Sequence, residues 1–148
     1  MDPEQLLASM ASAWHEADGR KFAAHFTESG LFVAFDGSVH IGREAIGTFH
    51  QVAFEGPLRG TALAMEVTMA RALGPDLQLI LTRGGICEAG RARAGAATDS
   101  VQTLIVRRKD GASRIEALHN GRYRPIRNAR SAAIWREFDD AARRMSET

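Results

Sequence analysis

Three polar side chains lie close together at the end of an apolar, strand-like segment, and they are the first candidates for chemistry. His119, Asn120 and Arg122 follow the mostly apolar residues 115–118. An imidazole titrates near neutral pH and can give or take a proton. An amide can orient a carbonyl group, and a guanidinium can bind an anionic group. The cluster therefore indicates the mouth of a pocket; the alternative is a strand that surfaces into solvent, with Arg122 in a surface cluster of arginines.

Strand geometry limits how this cluster can be used. Adjacent residues of a strand point to opposite faces, so His119 and Asn120 enter the same pocket only if a bulge intervenes. The surrounding alternation leaves open which of the two faces inward. Asp99, at the entrance of the preceding strand, is a further candidate for proton transfer, with solvent exposure as its alternative. Asp36 is followed by Gly37, a pair typical of a hairpin turn, which explains it without chemistry.

The elements that must position these residues follow from the periodicity of apolar residues. Spacings of three and four predict helices at 4–17, 20–26, 43–55 and from 128 onward. Period two and short apolar runs predict strands at 31–35, 38–41, 63–69, 77–86, 100–108 and 115–119. This order predicts an α+β fold, in which the helices are segregated onto one face of a curved, mostly antiparallel sheet.

Length, charge and composition exclude several classes of protein. We expect a single domain over 1–148, with a core at about 4–124 and a C-terminal helix at about 129–145. A net charge of +1, from 19 basic and 18 acidic residues, gives no field suited to nucleic acid or to an anionic membrane. The sequence shows no secretory signal and no apolar run near the ~20 residues of a spanning helix, so a cytoplasmic protein is expected.

Metal and cofactor chemistry finds no support in the sequence. The single cysteine, Cys87, excludes an intramolecular disulfide and a multi-cysteine zinc site, and we expect it to pack as a small apolar side chain. His40 and His50, the latter at the edge of the apolar stripe in 43–55, show no ligand spacing with a carboxylate. A glycine-rich dinucleotide loop is also missing. We expect no metal and no cofactor.

A set of short signatures occurs in order along the chain: Ala13-Trp14, Asp18-Gly19-Arg20-Lys21-Phe22 with Phe26, Gly42-Arg43-Glu44-Ala45-Ile46 with Phe49, Gln102-Thr103, Arg114-Ile115, and His119-Asn120 with Arg122. Together they resemble the nuclear transport factor 2-like superfamily, also described as SnoaL-like or as the cystatin-like cone fold. Within it they are most similar to the SgcJ/EcaC group, found near bacterial polyketide and antibiotic gene clusters. The chain departs from that group at Ser113, where tryptophan is common, and at Gly121, where threonine is common.

The resemblance implies a conical cavity, enclosed by the sheet and capped by the helices, in a homodimer formed through the outer face of the sheet. Its wall is expected to include Trp14, Phe26, Phe32, Phe49, Thr103, Leu118 and Arg122. An aromatic cavity with few polar groups suits a small apolar ligand. Some relatives place a catalytic acid close to Thr103, which carries only a hydroxyl, so ketosteroid isomerase chemistry is not expected.

These observations favour a ligand-handling protein of bacterial secondary metabolism that binds a small apolar metabolite of the polyketide type, beside a biosynthetic enzyme as partner. The first alternative is an isomerase, cyclase or hydratase of the same fold, with His119 as acid or base and Asn120 or Asp99 as its partner. The second alternative is a protein-interaction module with a collapsed cone.

Overall fold

The computed structural model describes residues 2–124 and 129–146 of the chain. Its helices are α1 (Pro3–His15), α2 (Gly19–Ala23), α3 (Arg43–Glu55) and α4 (Ala129–Ser146). Its strands are β1 (Phe26–Val33), β2 (Val39–Ile41), β3 (Ala62–Gly74), β4 (Leu77–Cys87), β5 (Asp99–Lys109) and β6 (Ala112–Arg122). None of the helices within the described ranges is long and apolar enough to cross a membrane.

The six strands form one curved sheet in the order β2-β1-β6-β5-β4-β3. Neighbouring strands are antiparallel, except that β1 and β6 run parallel. Helix α1 packs on β3, and α3 packs on β1 and on α2. The predicted α+β fold is therefore confirmed, including the short hairpin, the third helix and the four long antiparallel strands.

The second helix is shorter than the sequence pattern predicted. It ends at Ala23, and Phe26, which lay within the predicted helix 20–26, is instead the first residue of β1. Phe26 pairs with Ile115 of β6, and both side chains are fully buried. A helix or a strand at this position would bury the Phe26 ring, so the spacing of apolar residues alone does not distinguish the two. The pairing with β6 shows that Phe26 belongs to the sheet.

Helix α1 presents one apolar face to the interior. The side chain of Asp2 accepts hydrogen bonds from backbone N–H groups of the first turn, and Pro3 occupies the position where a missing N–H costs nothing. The buried face consists of Leu7, Met10, Ala13 and Trp14, at the spacings of three and four from which the helix was predicted.

A β-bulge in β6 determines which of its side chains face the interior. Strands β5 and β6 pair residue by residue on both sides of Glu116, which is an extra residue without a partner on β5. One extra residue shifts the alternation of those that follow by one position. Leu118 consequently faces the core, and His119 is exposed on the outer face. The Glu116 side chain forms an ion pair with Arg107 of β5.

Two successive glycines in β4 let neighbouring strands approach closely. Gly84 and Gly85 have φ angles of +123° and +151°. A Cβ atom on Gly84 would lie 2.2 Å from the carbonyl oxygen of Ala64, and one on Gly85 would lie 2.6 Å from that of Thr98. Both obstacles are backbone atoms that no side-chain rotation can move, so this part of the wall accepts only glycine.

An imidazole lies at the centre of the aromatic core. His50 in α3 is 2% exposed. Its ring centroid is 4.3 Å from that of Phe22, 4.8 Å from that of Phe32 and 6.0 Å from that of Trp14. These residues belong to α2, β1 and α1, so contacts to one ring join three helices to the sheet.

Burial and one backbone contact fix the charge state of His50. Its Nδ1 lies 2.8 Å from the carbonyl oxygen of Ile46. A carbonyl only accepts, so Nδ1 carries the proton and Nε2 is left as an acceptor. Desolvation lowers the pKa of His50 from 6.5 to about 4, against the bond to Ile46, which raises it, and with a smaller lowering from His40. His50 is therefore neutral at physiological pH.

Helix α4 is present where a C-terminal helix was predicted, and it exposes apolar side chains. Ile134, Trp135, Phe138 and Met145 are between 46% and 80% exposed. The rings of Trp135 and Phe138 contact each other at a centroid distance of 5.9 Å.

We predict that Trp14→Ala lowers the free energy of unfolding by roughly 3–5 kcal/mol, because it removes a buried indole and leaves a cavity. Trp14 is 6% exposed, and its Nε1 donates to Oγ1 of Thr61 at 3.1 Å. Urea denaturation measures the change. Trp135→Ala makes the same substitution at a side chain that is 55% exposed, and its expected cost is below about 1 kcal/mol. Equal losses in the two variants would show that Trp14 is not part of the core.

A second prediction concerns acid stability. The folded-state pKa of His50, about 4, lies below its unfolded value of 6.5, so the unfolded chain takes up this proton first as the pH falls. The stability contributed by the neutral form is present above pH 6.5, and by pH 4 it has decreased by about 3 kcal/mol.

The measurement is urea denaturation between pH 7 and pH 4, with His50→Leu beside the unchanged protein. His50→Leu is expected to have the shallower pH dependence, because the titrating group is gone. His15→Leu, the same change at an exposed position, serves as the control and should keep the original dependence. An unchanged slope in His50→Leu would contradict the assignment.

Candidate functional site

A funnel-shaped cavity opens between α3, the β1–β2 hairpin and the ends of β4 and β6. Its outer basin has a volume of about 1200 Å³, and an inner chamber of about 40 Å³ adjoins it toward the core. The chamber has room for a water molecule or a small head group, and the basin has room for a ring system. The residues that line both spaces form a neck between them: Phe32, Ile86, Thr98, Asn120 and Arg122.

Aromatic rings form one wall of the outer basin. The ring of Phe49 lies 4.0 Å from that of His40 and 5.9 Å from that of Phe32, centroid to centroid. Nε2 of His40 is in turn held 3.2 Å from Oγ of Ser38. The ring planes are tilted by 32° and 41° to each other, and together the rings give the wall an aromatic surface.

The rim of the basin is charged as well as apolar. The carboxylates of Glu28, Asp36 and Glu44 line it together with Arg43. The Arg43 guanidinium is already engaged, since its Nε and Nη2 donate to the carbonyl oxygen of Phe26 at 3.1 and 2.7 Å. A carbonyl is neutral, so Arg43 keeps its positive charge, but the three carboxylates outnumber it and make the rim negative overall.

A chain of hydrogen bonds leads from the core to the neck. Oγ1 of Thr82 donates to Oε1 of Gln102 at 2.5 Å, and Nε2 of Gln102 donates to the carbonyl of Gly84 at 3.3 Å and to Oδ1 of Asn120 at 3.2 Å. Because the Gly84 carbonyl can only accept, Gln102 must turn its NH₂ group that way. Asn120 then presents its oxygen to Gln102, which leaves its own NH₂ group as a donor at the neck.

Arg122 supplies a positive charge beside this donor. Its Nη1 donates to the carbonyl oxygen of Thr98 and to Oγ of Ser100, both at 3.2 Å. Its Cζ lies 3.9 Å from the ring centroid of Phe35. Burial lowers the pKa of Arg122, and the nearby charge of Arg124 lowers it further. The guanidinium is held in place by neutral acceptors.

Most of the predicted wall residues line the funnel. Phe26 is an exception, because it lies in the fully buried core. Those that line the neck, the basin or the inner chamber are Phe32, Arg122, Phe49, Trp14 and Leu118, and Asn120, a candidate for chemistry, joins them at the neck. A role of these residues in binding stays a prediction.

Two candidates lie on the outer face of the sheet instead. His119 and Thr103 pair with each other across β6 and β5, and both are exposed. The bulge at Glu116 turns His119 outward and Asn120 inward, which resolves the alternative that the sequence left open. Thr103 faces out because its neighbour Gln102 faces in. The structure corrects the placement of both side chains and removes His119 as an acid or base within the cone.

Asp99 also lies outside the funnel. It lines a separate cavity of about 540 Å³ between α1, β3 and β4. Its carboxylate accepts hydrogen bonds from Nε and Nη2 of Arg83 at 3.1 and 2.8 Å, and this pairing lowers the pKa of Asp99. The guanidinium of Arg83 also lies 3.4 Å above the ring of Tyr123. A carboxylate engaged in this way is not a proton-transfer partner for His119.

Gln102 and His50 are interior polar residues that the sequence reasoning missed as site residues. They are 3% and 2% exposed. Gln102 shares a strand face with Leu104, so an inward Leu104 already implies an inward Gln102. His50 follows Ile46 by one helical turn, which places both on the buried face of α3.

These groups give the funnel a defined hydrogen-bonding pattern. The inner chamber offers an acceptor, Nε2 of His50, and the neck offers the donor of Asn120 and the cation of Arg122. No carboxylate is among the described residues that line the chamber. Nor does the described part of the chain contain a group of three or more His, Cys, Asp or Glu residues that could hold a metal ion. The arrangement can orient a ligand, and among the described residues that line it no hydrogen bond joins a histidine to a carboxylate.

Known structures share this architecture, although no family model and no curated protein matches the chain. A domain of unknown function with a cystatin-like fold from Nostoc punctiforme is 30% identical, with a TM-score of 0.74 over 97% of this chain and 89% of that one. A nuclear transport factor 2-like protein with a cystatin-like fold from Novosphingobium aromaticivorans is 17% identical, with a TM-score of 0.67 over 87% and 83%.

A third structure, a nuclear transport factor 2-like protein of unknown function from Shewanella oneidensis, is 16% identical, with a TM-score of 0.66 over 80% of this chain and 94% of that one. The two lower identities establish the fold, and the 30% identity over nearly the whole Nostoc domain adds relationship in sequence. The chain therefore belongs with the Nostoc domain among proteins with a cystatin-like fold, and it shares this fold with nuclear transport factor 2-like proteins.

Proposed function

We propose that this protein binds a small, mostly apolar metabolite in the funnel and acts as a ligand-handling factor. The observation that carries the proposal is the open basin of about 1200 Å³ with aromatic walls, which ends in a neck with few polar groups. Natural ligand sites combine an apolar cavity of comparable size with a small number of placed polar groups.

The proposed setting is bacterial secondary metabolism, with a polyketide-type ligand. Two observations support it. The sequence signatures resemble the SgcJ/EcaC group, and the rings of Phe32, His40 and Phe49 offer flat contact surfaces for a polycyclic molecule. A biosynthetic enzyme as working partner belongs to the same proposal.

The two rival functions have less support. An isomerase, cyclase or hydratase built on His119 is disfavoured, because this side chain is exposed on the outer face. His50, the imidazole that lines the inner chamber, has its pKa lowered to about 4 and is a weak base at neutral pH. A protein-interaction module with a collapsed cone is disfavoured by the volume of the basin.

The binding proposal is tested with N-phenyl-1-naphthylamine, a neutral dye whose fluorescence rises in apolar surroundings. We expect saturable binding to the unchanged protein. Phe49→Ala, which removes a ring from the basin wall, should weaken binding about tenfold, the loss expected for roughly 1.4 kcal/mol of apolar contact. Phe138→Ala on α4, a position 64% exposed, is the matched control and should leave affinity unchanged. Absence of saturable binding, or equal effects of both substitutions, contradicts the proposal.

We also propose that two copies associate through the outer face of the sheet. Partly exposed apolar side chains lie there on β4 and β5, with Thr103 on the same face of β5 and His119 beside it on β6. The apolar members of this face are Leu79, Leu81, Val101 and Ile105. Apolar patches on a sheet face are typical of interfaces between subunits.

Thr103→Arg tests the proposed dimer, because it places a charge on this face without entering the core. Native mass spectrometry, which also detects a co-purifying ligand, is expected to show a dimer for the unchanged protein and a monomer for Thr103→Arg. Ser12→Arg, at an exposed position of α1, is the control and should remain dimeric. A monomer in the unchanged protein, or a Thr103→Arg dimer as stable as the original, would show that this face is not the interface.

A further inference from the structure

Arg122, the cation at the neck of the funnel, has no counterion among the described residues. Arg122 pairs with no carboxylate in the described part of the chain, and its protein acceptors are the carbonyl oxygen of Thr98 and the hydroxyl of Ser100. Both of these bonds use Nη1, so the other N–H groups of the guanidinium have no acceptor among the described residues. A partly buried cation surrounded by neutral groups and by the charge of Arg124 is stabilised by an incoming anion.

The amide of Asn120, which lies beside Arg122 at the neck, also favours a ligand group that accepts hydrogen bonds. The Gly84 carbonyl fixes the orientation of Gln102, and Gln102 fixes that of Asn120, so an NH₂ group and not an oxygen faces the neck. Two neighbouring neck residues thus offer N–H donors, one of them charged. A planar group with two acceptor oxygens matches this pair.

We propose that the ligand is an apolar monocarboxylic acid, with its carboxylate at Asn120 and Arg122 in the neck and its ring body in the outer basin. This inference rests on the proposed binding function and specifies its ligand class. The inner chamber, at about 40 Å³, admits no group larger than a small head. The carboxylate stays at the neck because the deeper Nε2 of His50 is itself an acceptor and repels it.

The rim explains why a single negative charge is preferred. Glu28, Asp36 and Glu44 line the opening of the basin, so a ligand with anionic groups along its body meets like charges there. The aromatic wall formed by Phe32 and Phe49 favours an uncharged ring system in the same space. One carboxylate at the inner end of an apolar molecule satisfies both conditions.

The test compares two probes of nearly equal shape, 2-naphthoate and neutral 2-naphthamide, as competitors of N-phenyl-1-naphthylamine at pH 7.5. We expect 2-naphthoate to displace the dye at a concentration about tenfold lower than 2-naphthamide, because a charge-assisted pair with arginine is stronger than a neutral hydrogen bond. Arg122→Gln should abolish this preference. Arg71→Gln, an equal change of charge at an exposed position of β3 outside the funnel, should retain it.

A third variant, Arg122→Lys, keeps the positive charge and serves as a control for the case in which Arg122→Gln does not fold. Thermal unfolding shows which variants are folded, and Arg122→Lys is expected to keep a reduced preference for 2-naphthoate, because an ammonium group lacks the paired N–H donors. The comparison of 2-naphthoate with 2-naphthamide on the unchanged protein tests the inference without any variant. Equal displacement by the two probes overturns the carboxylate inference and leaves binding in the funnel intact, whereas failure of the dye to bind overturns both.

Discussion

The extra residue in β6 is the constraint on which the site depends. Without Glu116, strict alternation would put Ile115, Ala117 and His119 on one face of the strand. With it, Ile115 still packs in the core, but from Leu118 onward the phase is reversed, and Asn120 and Arg122 face the funnel. The bulge is anchored on the outer side by the ion pair of Glu116 with Arg107. A local irregularity therefore decides whether the cavity contains an imidazole or an amide and a guanidinium.

Two backbone carbonyls determine which groups of the site are hydrogen-bond donors and which are acceptors. The carbonyl of Ile46 in α3 fixes the tautomer of His50, and that of Gly84 in β4 fixes the orientation of Gln102 and, through it, of Asn120. Neither carbonyl can change its role, because it is an acceptor in every protonation state. The pattern of one acceptor in the chamber and donors at the neck is thus a consequence of chain geometry rather than of pH.

Much of the fold could be predicted from the sequence because apolar periodicity reports burial directly. The buried face of α1 and the long strands followed from spacing, and the turn after Asp36 followed from the Asp-Gly pair. The site could be predicted from the sequence less well than the fold. Its key feature is a bulge, and the run from Ile115 to Asn120 has no glycine or proline to mark one. The interior role of Gln102 was also hidden, because Thr103 beside it is equally compatible with a strand wall.

The polar groups that line the funnel lower the stability of the ligand-free protein, and this destabilisation indicates that the cavity serves to bind a ligand. A buried imidazole and a chain of amides lose hydration on folding, and apolar side chains of similar size would fill the same space with less penalty. The hydrogen-bond chain recovers part of this loss for Thr82 and Gln102, which have protein partners, whereas the remaining N–H groups of Arg122 have no protein acceptor among the described residues and stay accessible to water in the open basin. A ligand that supplies the missing acceptors binds the folded state only, so it stabilises the fold as it binds.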